Sequence, residues 1–180
     1  MGFHKECFFD FRCQALPPDT FDVVEFKGVE GLSRPYQFEV DLVSPNPDID
    51  LTEVVRSRAT LVLLREADEE ILFHGILAVF EQTGSYGSAY FYRAVLKPAL
   101  WRLSLTHHNQ VFLDKSVPEI LQAVLKDGGL AADEFELRLT GSYAPHEYVC
   151  QYQESHFDFV SRWMEREGIY YFFEQGGERE

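Results

Sequence analysis

The feature that most limits how this chain can fold is a strict alternation of apolar and polar side chains. Between Tyr36 and Leu42 every even-numbered residue is aromatic or aliphatic, and every odd-numbered residue is polar. Successive side chains of a strand point to opposite faces of a sheet, so this run predicts a β-strand with one buried face and one wet face. Pro35 sets a turn before the strand, and we expect Tyr36 to hold the strand in place.

Other short runs in the first hundred residues also predict strands, and turn signals separate them. The strand patterns cover 21–27, 59–66, 70–84 and 89–97. The turn signals lie at 28–31, Ala67–Glu69 and Gly84–Gly87. Gly75, inside an apolar run, predicts a bulge or sharp bend, and residues 51–57 predict one helical turn. We therefore predict an α+β fold that is mainly β, with an antiparallel β-barrel or split barrel over residues 1–100.

The second part of the chain, residues 101–180, carries two helix patterns. Ser116 and Glu119 have the spacing of a capping box and Gly128 ends the run, which predicts a helix near 117–126. The expected buried stripe of that helix is Ile120, Leu121, Val124 and Leu125.

The second helix pattern begins at an N-cap, Ser155, and stops at Gly168, which predicts a helix over 156–167. Its expected buried face is Phe157, Val160 and Met164, widened by Phe159 and Trp163. Strands are predicted over 135–141, 146–153 and 169–174. Residues 101–180 are therefore predicted to form a small α/β segment.

The charge balance limits the classes of partner. The chain of 180 residues has 30 acidic and 16 basic side chains, a net charge of −14. Such a surface repels phosphate backbones and anionic membrane surfaces, so we expect no nucleic-acid partner and no stable membrane insertion. The first residues lack the pattern of a signal peptide, which favours synthesis in the cytoplasm. The three cysteines, Cys7, Cys13 and Cys150, have no CxxC spacing and are predicted to be reduced structural thiols.

The histidines give little support for a metal site. His107 and His108 are adjacent, so in a strand their side chains point to opposite faces and cannot bind one metal ion together. The nearby Asn109 and Asp114 do not complete a set of metal ligands. His74 stands alone in a strand pattern and is expected to be a structural residue. We predict no bound metal and no cofactor.

The remaining reactive side chains do not suggest catalysis. Glu165, Glu167 and Asp158 resemble an acid cluster, but two residues apart on a helix the glutamates do not converge as a glycosidase pair must. Cys150 lies in a strand pattern without a recognisable His partner. A phosphate-binding loop and the GxSxG and HExxH motifs are missing from the sequence. We predict that the chain is not an enzyme and name no catalytic, cofactor-binding or metal residues.

Four segments, taken in order, resemble a known family. They are FKGVEGLSRPYQFEVDLVS, FHGILAVFEQTG, YRAVLKPALWRLS and QYQESHFDFVSRWMEREGIYYFFE. Together they resemble the N-terminal region of VgrG proteins, the valine–glycine-repeat (Rhs element Vgr) spike proteins of the type VI secretion system. These are related to the hub proteins of contractile phage tails. The resemblance runs from Phe21 to Glu174. Trp163 stands where Leu is more usual, and LTHHNQVFLDKS varies a segment usually richer in Ser and Arg.

The resemblance implies a homotrimer of tube-type β-barrels, with the α/β segment over 101–180 inserted beside the first barrel. Three chains with two similar barrels each would make a pseudo-sixfold ring that matches the hexameric tube protein, Hcp. Baseplate components and effector or tip proteins are the other implied partners, and export into the medium or a target cell is the implied destination. We expect this chain to stop before the second barrel and the β-helical spike. Aromatic runs at Tyr90–Tyr92 and Tyr170–Phe173 are candidates for contact surfaces.

Two alternatives stay open. A contractile phage tail hub or late-control protein of the same superfamily would act in tail assembly. A small hydrolase with a barrel-plus-α/β architecture would need a nucleophile–base pair in a pocket, and the sequence offers none. For the chain by itself we expect weak association, with the monomer dominant at low concentration and the trimer favoured by salt.

Overall fold

The structure is a computed structural model that describes residues 9–64 and 70–175. These residues form two compact units. The first contains the described residues up to Pro98 together with 173–175, and the second contains Ala99–Phe172. The turn expected at Ala67–Glu69 and the thiol of Cys7 lie outside the described residues.

The first unit is one curled sheet of six antiparallel strands with a short helix. Its elements are β1 (Phe9–Cys13), β2 (Asp22–Gly31), β3 (Arg34–Ser44), α1 (Leu51–Arg56), β4 (Arg58–Leu64), β5 (Glu70–Tyr86) and β6 (Ala89–Lys97). The strand order is β1-β4-β5-β6-β3-β2, so the first two strands of the chain form the two edges. These edges come close together, since the rings of Phe9 and Phe26 lie 5.1 Å apart. The predicted split barrel and the helical turn at α1 are confirmed.

The interior of the curled sheet is packed with aromatic side chains. Phe21 lies just before β2, and its ring centroid is 5.7 Å from that of Phe80 and 5.5 Å from that of Tyr92. Phe80 and Tyr92 stack on each other at 5.5 Å. All three side chains are buried. Pairs of this kind add to the stabilisation from area burial alone, so the concave side of the sheet is a dense core.

The alternation that predicted β3 is confirmed, and Tyr36 ties the strand to its surroundings. The even-numbered residues from Tyr36 to Leu42 are all buried in this core. The Tyr36 hydroxyl donates a hydrogen bond to the backbone carbonyl of His74 in β5. Its ring lies 5.0 Å from Phe173. Phe173 therefore packs in the first unit, whereas the sequence-based division assigned all of 101–180 to the second segment.

Of the two alternatives predicted for Gly75, the bulge is wrong and the sharp bend stays a prediction. Gly75 sits in a regular stretch of the β4–β5 ladder. The irregular pairing of β5 with β6 lies further along, between Leu77 and Val79 and again after Gln82. What requires glycine is a close approach, because a Cβ at position 75 would lie 2.5 Å from the carbonyl oxygen of Lys97. A sequence cannot distinguish these two reasons for a glycine in a strand.

The second unit packs two helices on one face of a two-stranded antiparallel sheet. Its elements are a 3₁₀ helix (Ala99–Ser104), β7 (His107–Lys115), α2 (Val117–Asp127), β8 (His146–Ser155) and α3 (His156–Glu167). The larger of its two buried clusters consists of Val117, Ile120, Leu121, Val124, Val149, Phe159, Val160 and Trp163.

Both predicted helices of this unit are confirmed, together with their caps. The backbone N–H of Ser116 donates to the Glu119 carboxylate at 2.9 Å. The Ser155 hydroxyl accepts from the Asp158 N–H at 3.0 Å, and Gly168 ends α3 with a φ of 69°. The expected buried stripe of α2 is also confirmed. Among the described residues, no helix is long and apolar enough to cross a membrane.

Three details of the second half differ from the sequence prediction. The buried face of α3 is centred on His156, Phe159, Val160 and Trp163, whereas Phe157 and Met164 are only half-buried. The predicted strands over 135–141 and 169–174 pair with no described strand. Residues 170–174 keep the alternating exposure of a strand, because alternate side chains turn inward even without a ladder.

Candidate functional site

The two aromatic runs proposed as contact surfaces are divided between the core and the surface. In the first run Tyr92 is fully buried and Tyr90 packs on the core, so only Phe91 faces outward. In the second run Tyr170 and Phe172 are exposed, and the neighbouring Tyr171 and Phe173 are not. Neither run therefore presents a continuous aromatic surface.

A more continuous apolar surface lies on the side of the β7–β8 sheet that faces away from the helices. It consists of Val111, Leu113, Tyr148, Cys150 and Tyr152, and is called the outer face below. The cross-strand pairing places Val111 opposite Cys150 and Leu113 opposite Tyr148. The four large side chains are between 52% and 68% exposed. Unpaired apolar side chains grouped in this way are typical of an interaction surface.

None of the five residues that define the outer face is acidic, although the chain as a whole is strongly acidic. Asn109 lies opposite Tyr152 near one end of it. At the other end the His146 ring packs on Trp163 of α3, and Lys115 lies 3.9 Å from the carboxylate of Glu119 in α2. A hydrogen bond with Cys150 raises the pKa of the Tyr148 hydroxyl, so this side chain stays neutral. The five residues therefore add no negative charge of their own to a chain with a net charge of −14, and the exposed Asp114 and Glu147 flank them in the two strands.

The sequence analysis missed the outer face because its alternation is hidden. Residues 111–113 are all apolar, so the inward Phe112 cannot be told from the outward Val111 and Leu113 without the structure. The tertiary fold decides the matter, because the helices cover only one side of the sheet.

The two hairpin ends of the first unit each carry one exposed large side chain. Tyr86 is 85% exposed at the β5–β6 turn, and Leu32 is exposed at the β2–β3 turn. Because β3 and β6 are antiparallel neighbours, these turns lie at opposite ends of the sheet. They offer separate points of contact and not one surface.

The acidic residues considered for catalysis do not converge. Asp158 lies in the first turn of α3, where its carboxylate accepts a hydrogen bond from the hydroxyl of the N-cap residue, Ser155, at 2.7 Å. Glu165 is exposed and Glu167 is half-buried at the other end of the same helix. Asp114 is exposed, with a φ of 51° at the end of β7.

His74 and the cysteines have structural surroundings. The His74 ring nitrogen Nδ1 lies 3.0 Å from the Thr60 hydroxyl on the neighbouring strand. Cys13 is a buried free thiol, and its sulfur lies 2.9 Å from the Ser57 hydroxyl. Cys150 is a half-buried free thiol whose backbone carbonyl accepts a hydrogen bond from Arg162.

The structure separates His107 from His108, as the strand geometry predicts. His107 is exposed, whereas His108 turns inward and stacks on His156, with ring centroids 3.7 Å apart. Nε2 of His156 lies 3.1 Å from the carboxylate of Asp127. His108, Asp127 and His156 are called the histidine cluster below. Sequence analysis could not find this cluster, because its members lie 19 and 29 residues apart in three different elements.

A family model places this fold in a class of protein. The model described as phage tail baseplate hub (GPD) matches residues 29–180. The chain belongs to that family, which confirms the resemblance to phage-type tail hubs.

Curated relatives narrow the class to type VI secretion spike proteins. The spike protein VgrG1b of Pseudomonas aeruginosa is 39% identical over 158 residues, covering 88% of this chain and 21% of the relative. VgrG5 of the same organism is 36% identical over 167 residues. The actin cross-linking toxin VgrG1 of Vibrio cholerae is 34% identical, covering 92% of this chain and 16% of the toxin. The chain is thus a VgrG-type hub region and spans about a fifth of the relatives' length.

Solved structures agree with this assignment. An E. coli protein, c3393, described as a type VI secretion component with structural similarity to the T4 tail proteins gp27 and gp5, matches with a TM-score of 0.82. It is 25% identical, and the match covers 91% of this chain and 45% of that one. A 43 kDa prophage MuSo2 tail protein of Shewanella oneidensis shares the fold, with a TM-score of 0.58 at 12% identity over 89% of this chain and 50% of that one.

Proposed function

We propose that this chain is the base of a type VI secretion spike, where it joins a trimeric spike to the hexameric Hcp tube for injection of effectors. The observation that carries this proposal is the extensive similarity to VgrG spike proteins over the hub region. A structural role also fits the side chains, since none of the acids, thiols or histidines considered for catalysis forms a nucleophile–base pair. The protein is made in the cytoplasm and leaves the cell through the secretion machine.

The outer face is the surface through which the second unit contacts another protein of this assembly. Its five residues combine large exposed side chains with no acidic group among them, as does the centre of a typical protein interface. Leu113 and Tyr148 lie at its centre. Closed assemblies use the same surface on every copy, so one substitution in the gene alters all subunits at once.

The test uses the full-length protein in a bacterium with a working type VI system. Leu113→Glu places a carboxylate on the outer face, and Gln122→Glu places one on the exposed side of α2 as the matched control. We expect the first variant to stop release of Hcp into the medium and the control to leave it unchanged. Circular dichroism of both purified chains verifies that they fold.

Normal Hcp release by a folded Leu113→Glu variant would show that the outer face is not a contact surface. Normal release after deletion of the whole gene, in a strain without a second spike gene, would contradict the secretion role itself. The two failures are therefore distinguishable.

A phage tail hub acting in tail assembly is the second candidate function. It is favoured by the family model and by the fold shared with the prophage tail protein. Infectious particles that depend on this gene, in a strain that releases no Hcp, would support it over the secretion role.

A further inference from the structure

The histidine cluster gathers three metal-ligand side chains from three elements of the second unit. His108 belongs to β7, Asp127 is the last residue of α2 and His156 is the first residue of α3. One potential ligand atom from each lies within 4.8 Å of the other two. We propose that these three residues bind a divalent transition-metal ion such as Zn²⁺, in place of the sequence-based prediction that no metal is bound. This inference is independent of the proposed role in secretion.

His156 is already arranged as a metal ligand. Its side chain is almost fully buried, and its Nδ1 lies 3.1 Å from the nitrogen and 3.3 Å from the oxygen of the Gln151 side-chain amide. Its other nitrogen, Nε2, therefore faces Asp127. A metal-bound histidine donates the N–H of its other ring nitrogen to an outer partner, and the Gln151 oxygen is placed to accept such a hydrogen bond from Nδ1.

The spacing of His156 and Asp127 suits a tetrahedral ion. Bonds of about 2.0–2.2 Å to nitrogen and oxygen place two tetrahedral ligands roughly 3.3 Å apart. Nε2 of His156 and Oδ2 of Asp127 are 3.1 Å apart. Zn²⁺ can therefore replace the hydrogen between these two atoms, and Gln110, which donates to the same Oδ2 at 2.6 Å, would be an outer partner of the ion.

His108 must turn to complete the site. Its ring is nearly parallel to that of His156, at an angle of 9°, so the in-plane lone pairs of the two rings do not meet at one point. His108 is only half-buried, and its Nε2 lies 2.7 Å from the hydroxyl of Thr106, an exposed residue. Rotation therefore breaks one exposed hydrogen bond and the ring stack, and gains a metal bond.

The ligand set defines the class of ion. Two imidazoles and one carboxylate suit zinc and similar transition metals, whereas Ca²⁺ and Mg²⁺ prefer oxygen ligands alone. The Asp127 side chain is 53% exposed, so the fourth position of the ion opens to solvent. A bound ion would join β7, α2 and α3 and stabilise the second unit, because it binds the folded form.

The experiment titrates the tag-free 180-residue chain with Zn²⁺ by calorimetry, with Mg²⁺ and Ca²⁺ as comparison ions. We expect one Zn²⁺ per chain, a higher thermal midpoint with Zn²⁺, and neither effect with the other ions. His108→Ala and the isosteric Asp127→Asn should each weaken Zn²⁺ binding at least about tenfold, the lower end of what loss of even an outer partner costs. His107→Ala, on the opposite side of the same strand, should leave the affinity unchanged.

Failure to find saturable one-to-one binding would overturn the proposal. So would equal weakening by His107→Ala, since this would indicate a surface site at the adjacent histidines. Zn²⁺ binding that survives Asp127→Asn, the variant least able to disturb the fold, would also overturn it. The visible spectrum of bound Co²⁺ gives an independent measure of whether the ion is tetrahedral.

Discussion

Replacement of Gly75 by alanine tests the close approach that the structure shows inside the first unit. The added Cβ would lie 2.5 Å from the carbonyl oxygen of Lys97 and 3.2 Å from the nearest side-chain atoms of Leu96. Real Cβ atoms essentially never come within 3.0 Å of another heavy atom, so the backbone of β6 must move. Gly84, in the same strand, has nothing within 4 Å of an added Cβ and provides the matched control.

Both substitutions reduce the conformational entropy of the unfolded chain, but only Gly75→Ala creates a steric clash in the folded state. Alanine in place of glycine stabilises by about 0.4–1 kcal/mol through the unfolded state when the site accepts it. Forcing an extra carbon into a packed site costs about 1–3 kcal/mol. We therefore expect Gly75→Ala to lower the free energy of unfolding by about 1–2 kcal/mol, and Gly84→Ala to leave it unchanged or raise it slightly.

Urea unfolding followed by far-ultraviolet circular dichroism measures this difference, because the first unit is mostly sheet. Both tryptophans, Trp101 and Trp163, lie in the second unit, so their fluorescence reports on that unit separately. We expect Gly75→Ala to shift the unfolding transition that is followed by circular dichroism. Equal stability of Gly75→Ala and Gly84→Ala would refute the steric reasoning, and a loss confined to the tryptophan signal would mean that the affected contact lies elsewhere.

Three further predictions concern the second unit and assembly. Ser155→Ala removes the hydroxyl that accepts from the Asp158 N–H and should cost about 1 kcal/mol in urea unfolding followed by fluorescence; an unchanged midpoint would contradict the cap. Burial and the charge of His108, opposed by Asp127, lower the pKa of His156 below its ordinary 6.5, so the unfolded state binds protons first. Stability should therefore fall as pH decreases through 6.5, and His156→Gln should flatten that slope between about pH 5 and 7. Light scattering of the chain alone should show a monomer at low concentration and a trimer favoured by added salt, since salt screens the net charge of −14 on each copy; a tight, salt-independent trimer would contradict this.

The elements that the sequence predicted well are those whose cause is local. β3 follows from side chains two residues apart, and the alternation between Tyr36 and Leu42 coincides with the buried face of the strand. The caps of α2 and α3 lie within four residues of the helix starts that they fix. Such patterns reflect the geometry of one strand or one helix turn, so they can be read without knowing what packs against them.

The tertiary structure alone decided which side chains meet. Gly75 is required by a carbonyl of a neighbouring strand, and the outer face exists because the helices cover only the other side of β7–β8. The histidine cluster brings together side chains from three separate elements. These features depend on contacts between residues distant in the chain, and the spacing of residue types along a sequence carries no record of such contacts. The sequence therefore determined the strands with clear alternation, the two capped helices and the family, whereas long-range packing determined the surfaces and sites.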